Sequence, residues 1–148
     1  MSTANQVSFE TTLHVRDHCL CLSAQRAARA LARRFDEVFR PLGLTSGQFS
    51  LLISLNRPQP PSLGSVASLL AMDRTTLTAN LKPLERRGLV QSAADPKDRR
   101  SRLLALSEEG RALLARAAPI WKAEHARIDE EIAAFDPKAL RAALAALA

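Results

Sequence analysis

The sequence predicts a mainly α fold with a small β wing, in which a compact helical lobe is joined to long helices near the two ends of the chain. Three observations predict it. Apolar residues recur at helical spacing through residues 11 to 40 and again from Ser107 to about Ala133. Two short helical patterns near residues 63–71 and 74–87 are separated by a very tight turn. Directly after Gly88, two strand-like runs flank Asp95-Pro96-Lys97-Asp98. With 148 residues the chain fits one domain, or one domain with an added dimerisation arm, and 47% apolar with 24% charged residues is the composition of a folded globular protein.

The first helix is expected to run without interruption for some 28 residues, because no Pro or Gly precedes Pro41, with Leu20, Ala24, Ala27, Leu31, Phe35 and Val38 on its apolar side. A helix that long needs something to lie against at its ends. Thr45 and Gln48 then form a capping box, and Leu44 can pack on Phe49 as a staple, so a second helix starts at "LTSGQF" and stops at "RPQPP". Ser62 caps a short helix and Asp73 caps the next, which together read as a helix-turn-helix. In the helix at 74–87, Leu77, Leu81 and Leu84 share the core side, while Thr75, Thr78, Ala79, Lys82 and Arg86 share the other. Pro83 removes the bond to the Ala79 carbonyl, and Gly88 ends the helix in the left-handed conformation. Leu89 to Gln91 begin one strand, Asp95-Pro96-Lys97-Asp98 makes a type I turn, and Arg102 to Leu106 return as the second. The lobe is thus a winged helix-turn-helix over residues 45–107. Ser107 caps a helix of roughly 26 residues, with Leu113, Ala117, Ile120, Trp121, Ile128 and Ile132 as its stripe and Pro119 as a kink. Asp136-Pro137 opens a last helix. Within a single 1–148 unit, residues 11–42 and 108–148 are therefore read as dimerisation helices, and a C2 homodimer is the simplest use of their apolar faces.

Net charge is +6 and unevenly spread. Residues 73 to 102 hold eight Lys or Arg against four acids, whereas residues 103 to 148 hold six against seven. A basic middle beside a near-neutral tail suits a polyanion-binding segment joined to a different kind of surface. The helix at 74–87 can enter a major groove, with Thr75, Thr76 and Thr78 toward base edges or phosphates and Lys82 and Arg86 toward phosphates. Lys97, Arg99 and Arg100 crown the wing, with Arg102 beside them, and Asp98 braces Arg100 so that Arg99 is free to reach DNA. The plainer readings are a solvated amphipathic face and a solubility hairpin; the adjacency of helix and hairpin favours the functional one.

Other chemistry is poorly served. His14 and His18 lie four apart, but Cys19 and Cys21 are badly placed beside them and no carboxylate completes a metal set. Cys21 reads as a small packed hydrophobe, with a redox role as the alternative, and His125 as an isolated surface or interface residue. There is no Gly-rich phosphate loop, no G-x-S-x-G or H-E-x-x-H and no Tyr, so neither an enzyme nor a cofactor is expected. No run of 18 apolar residues occurs, and the first 20 residues lack a signal core, so a cytoplasmic protein without a membrane is expected.

The run "MDRTTLTANLKPLERRGLVQSAADPKDRRSRLLALSEEGRALL", extended back through "RPLGLTSGQFSLL", resembles the MarR family of bacterial transcriptional regulators over about residues 13 to 147. The resemblance implies a triangular homodimer built on the terminal helices, with two winged lobes reading a pseudo-palindromic operator in double-stranded DNA. By position, Thr75, Thr78, Lys82, Arg86, Arg99 and Arg100 inherit the DNA contacts. It also implies a repressor released by a small aromatic or lipophilic effector, held between the dimerisation helices and the lobe by the first two helices and the long helix after the wing. Cys21 falls where the family's organic-hydroperoxide repressors carry their reactive cysteine, but the supporting tyrosines of that subgroup are Gln25, Phe35 and Ser46 here. The other class of reading is a helical protein-interaction module that keeps the fold without using DNA.

Overall fold

A computed structural model describes residues 6–148. Residues 1–5, the start of the expected 1–148 unit and of the stretch read for a signal core, lie outside the described residues. The chain runs α1 (Phe9–His18), α2 (Leu20–Phe39), α3 (Ser46–Ser54), α4 (Leu63–Leu69), α5 (Arg74–Arg86), β1 (Val90–Asp95), β2 (Asp98–Leu106), α6 (Glu108–Glu131) and α7 (Pro137–Ala146).

The expected unbroken first helix is two helices. Cys19 is extended (φ −77°, ψ 107°), and its Sγ accepts from the Leu22 amide at 3.4 Å, so it closes α1 and caps α2. The reason is packing. α1 buries no residue against the rest of the chain, and α2 buries only Phe35 and Phe39, so no core contact holds the two segments on one axis. Pro41 and left-handed Gly43 (φ 64°) then turn the chain into α3. Both halves of the Thr45–Gln48 capping box form, at 3.1 Å each, and Leu44 and Phe49 are both buried.

Helices α3, α4 and α5 enclose the lobe's core, where Leu52, Val66, Leu77 and Leu84 are fully inaccessible. Ser62 and Asp73 cap α4 and α5 as expected, and Gly88 takes φ 71°. Arg87 donates to the Gly43 carbonyl at 2.8 Å, tying the end of α5 to the turn before α3.

β1 and β2 pair antiparallel from Val90↔Leu106 to Ala94↔Arg102, with an irregularity before Asp95↔Asp98. β2 therefore begins at Asp98 rather than at Arg102, and Arg99, Arg100 and Ser101 are the extra residues of β2 that have no partner in β1. A bulge in β2 opposite the Ala94/Asp95 step lets the ladder continue to the turn at Pro96 and Lys97. The wing is also held at its base, where Leu104 donates to the Pro61 carbonyl at 2.9 Å and Ser62 bridges Leu103.

Ser107 caps α6 and links it back to the wing, its hydroxyl donating to the Gly88 carbonyl and accepting from the Gly110 amide. The apolar stripe read along α6 is only partly core: Ala117 and Ile128 are buried, but Trp121 is 37% exposed. In α7 no residue is buried.

Candidate nucleic-acid interface and adjoining cavity

The outer side of α5 is organised from its cap. Asp73 accepts from the Thr76 amide at 2.8 Å and the Thr76 hydroxyl at 2.7 Å, and these bonds, the backbone one first, hold its carboxyl below the usual range. Thr76 is thereby engaged by the cap. Thr75 and Thr78, by contrast, share a shallow surface with Arg74, Ala79 and Lys82, all exposed. Arg86 is exposed one turn beyond Lys82.

A second groove joins this helix to the wing. Thr78, Lys82 and Glu85 of α5 line it together with Ser92 of β1 and Arg102 of β2. Arg102 is fixed there by donating to Ser92 Oγ at 2.8 Å. Further out, Lys97, Arg99 and Arg100 are exposed, and among the described residues their side chains meet no acid. Asp98 braces the wing through the backbone: its carboxylate accepts from the Arg100 amide at 3.0 Å, not from the guanidinium. Asp95 does the same for the Lys97 amide at 2.9 Å, a role the turn motif hinted at but the sequence reading did not assign. The wing's acids thus shape its turn and, among the described residues, leave Lys97, Arg99 and Arg100 unpaired.

Below the lobe, α2, α3 and α6 enclose a cavity of about 530 Å³. Its wall is a closed circuit of rings: Phe35 to Phe39 (5.9 Å between centroids), Phe39 to Phe49 (4.8 Å), Phe49 to Trp121 (6.4 Å), Trp121 to His125 (4.8 Å) and His125 to Phe35 (6.3 Å). Ser46, Ser50 and Lys122 add the polar groups. His125, expected to be isolated, completes this circuit; its neighbours lie some 90 residues away in sequence and in the next turn of its own helix.

One ionic cluster fastens α2 to α6. Glu124, 6% exposed, takes bonds from Arg34 and Arg127, and Arg34 also grips Glu131 through two bonds of 2.7 Å. Arg34 holds both carboxyls below the usual range, and the Glu131 and Glu124 bonds raise its own affinity for the proton. No sequence motif marks a pair this distant.

Cys21 is exposed rather than packed, because the face of α2 that carries it covers nothing in this chain; Gln25 donates to its Sγ at 3.3 Å. Among the described residues, no group of three or more His, Cys, Asp or Glu could hold a metal ion, and no helix is long and apolar enough to cross a membrane. His14 and His18 stack on each other at 4.2 Å.

The model of the MarR family matches residues 44–101, which span α3 to the wing. The transcriptional regulator MosR of M. tuberculosis, solved in complex with DNA, is 35% identical over 88% of this chain and 93% of its own, with a TM-score of 0.80. This chain belongs to the MarR family. The fold is that of the family's winged-helix regulators. The transcriptional repressor CouR, solved bound to a 23-mer DNA duplex, is 30% identical over 97% of this chain and 99% of its own, with a TM-score of 0.78. CouR has also been solved bound to p-coumaroyl-CoA, at 28% identity, 90% and 94% coverage and a TM-score of 0.77. The curated regulator TtmR of Methylorubrum extorquens is 34% identical over 97 residues, and there the chain spans only half of its relative's length.

Proposed function

We propose that this MarR-family chain is a homodimeric, sequence-specific regulator of transcription that binds a pseudo-palindromic operator in double-stranded DNA and is released from it by a small aromatic or lipophilic effector. The observation that carries the DNA reading is the shared groove: Thr78 and Lys82 of α5 line it with Ser92 and Arg102 of the wing. A helix of this width fits the major groove, where Thr75 and Thr78 address base edges and Lys82 and Arg86 address phosphates. The wing then carries Lys97, Arg99 and Arg100 to the adjoining backbone or minor groove. Repression as the outcome is supported by CouR, a repressor solved on DNA.

Dimerisation is supported by the two terminal helices. α1 and α7 bury nothing within the chain, yet Val15, Leu140, Leu144 and Leu147 are between 43% and 68% exposed. A second copy would cover these faces and place two recognition helices on one side. The effector reading rests on the aromatic cavity between the α2–α6 pair and α3, whose size and few polar groups suit a small ligand.

The test is a gel shift on the DNA upstream of the protein's own gene, with a panel of phenolic acids and an organic hydroperoxide. Protection of a symmetric site, relieved by one of the phenolic compounds with both cysteines reduced, is the expected result. Release by hydroperoxide that is lost in Cys21→Ser would favour the thiol reading instead, for which the exposure of Cys21 is the supporting observation. Absence of any site preference at physiological ionic strength would leave a protein-interaction module.

A further inference from the structure

Arg74 opens α5 as an exposed cation, and among the described residues its guanidinium meets no acid. Asp73 beside it is spent on the helix cap, one carboxylate oxygen accepting from the Thr76 amide and the other from the Thr76 hydroxyl. A positive side chain in the first turn opposes the helix macrodipole, so Arg74 does nothing for the stability of α5.

Its guanidinium lies instead against the preceding helix. A Cβ built at Gly64 of α4 would sit 2.7 Å from Arg74 Nη2, 3.4 Å from Cζ and 3.7 Å from Nε. Gly64 has ordinary helical backbone and no positive φ, so its conformation does not call for glycine. The missing side chain is a seat for the arginine.

Arg74 shares its outward surface with Thr75, Thr78 and Lys82. Arg86 is at the other end of the helix, about 18 Å away at a rise of 1.5 Å per residue, which exceeds the major groove's width of about 12 Å. A helix that brings Thr75 and Thr78 to the base edges therefore leaves Arg86 at the rim, among phosphates, and carries Arg74 inward with the threonines.

We infer that Arg74 is a specificity-determining residue of the DNA site, its guanidinium held on Gly64 and donating two parallel bonds to O6 and N7 of a guanine in each operator half-site. Guanine alone presents two acceptors side by side in the major groove, and the planar fork of an arginine matches them where a lysine ammonium does not. The inference rests on the reading of α5 and the wing as a DNA-facing surface.

The experiment uses the full-length protein and the operator located upstream of its own gene. Symmetry-related guanines are replaced, one pair at a time, by 7-deazaguanine, which lacks only the N7 acceptor. One such pair should weaken wild-type binding by at least about fivefold, while Arg74→Ala and Arg74→Lys bind natural and substituted operator alike. Gly64→Ala keeps the charge and should melt no lower than the wild type, since the atoms it crowds are the far end of a flexible side chain, yet its sensitivity to that guanine should fall. Arg74→Lys with full discrimination would overturn the inference. So would an Arg74→Ala that weakens operator and unrelated DNA equally, with a salt slope shallower by about one, because that marks a phosphate contact. Undiminished guanine sensitivity in Gly64→Ala would overturn the seat. A wild type without site preference would sink the regulatory reading and this inference with it, whereas a wild type that selects its operator and an Arg74→Ala that discriminates equally well would sink this inference alone.

Discussion

Replacing Gly110 with alanine would drive a methyl group into the base of the wing. A Cβ built at this position lies 2.1 Å from the Leu89 carbonyl oxygen and 3.1 Å from its carbon, with Leu106 Cδ2 at 3.4 Å. Contacts under 3.0 Å are essentially never made by real Cβ atoms, so α6 and Leu89, the residue leading into β1, must part by about 0.9 Å. The same Leu89 oxygen accepts from the Ser107 amide at 3.0 Å, and separation by that amount breaks the bond. Overpacking costs about 1–3 kcal/mol and the lost bond about 1 kcal/mol. At roughly 2–4 °C per kcal/mol for a chain this size, Gly110→Ala should melt roughly 4–16 °C below the wild type. Circular dichroism melts at one fixed protein concentration read this directly, since a dimer's melting point depends on concentration. Gly47→Ala is the control. Its Cβ would meet nothing closer than Thr45 Oγ1 at 4.0 Å, and inside α3 alanine should hold or slightly raise the melting point. A Gly110→Ala protein that melts within about 1 °C of the wild type would refute the tight junction between wing and α6.

Glu124→Gln tests the ionic clasp through pH. Arg34 depresses the Glu124 and Glu131 carboxyls, so their contribution to stability is complete above the ordinary value of about 4.3 and is lost as pH falls through the lowered folded values. Denaturant unfolding between about pH 7 and pH 3 should show the wild type losing stability toward acid, and Glu124→Gln, less stable at neutral pH, losing less. If the proposed dimer is built on these faces, wild type should sediment as a dimer and Leu140→Asp/Leu144→Asp as a monomer in analytical ultracentrifugation, with the lobe's circular dichroism intact; an unchanged dimer would move the interface elsewhere. Thr75→Ala/Thr78→Ala should weaken binding to the operator by about tenfold or more and leave binding to unrelated DNA unchanged, measured by competition gel shift.

The parts of this molecule that were legible in its sequence are those determined by near neighbours. Thr45 and Gln48 announce their capping box because both partners lie within one helical turn, and Asp73, Leu77, Leu81 and Leu84 fix which side of α5 turns outward. The wing's existence follows from Gly88 and the Asp95-Pro96 turn, although its longer second strand depends on a bulge that no local pattern marks. What lay out of reach depends on residues far apart in the chain. No local pattern pairs Arg34 with Glu124, which meet only where α2 packs on α6, or marks the close approach of Gly110 to Leu89, and His125, read as isolated, is enclosed by Phe35 and Trp121. The break at Cys19 has the same origin in reverse, since an apolar pattern continues through it but no core in the chain receives α1.

The claim that α5 and the wing act as one DNA-facing surface is tested most directly by the salt dependence of operator binding. Affinity is measured across a range of ionic strengths for the wild type and for Arg99→Ala/Arg100→Ala. Both arginines are exposed and unpaired among the described residues, so each should account for about one phosphate contact. The account predicts a plot of log affinity against log salt that is shallower by about two in the variant, with operator and unrelated DNA weakened alike. Identical slopes for the two proteins would contradict it.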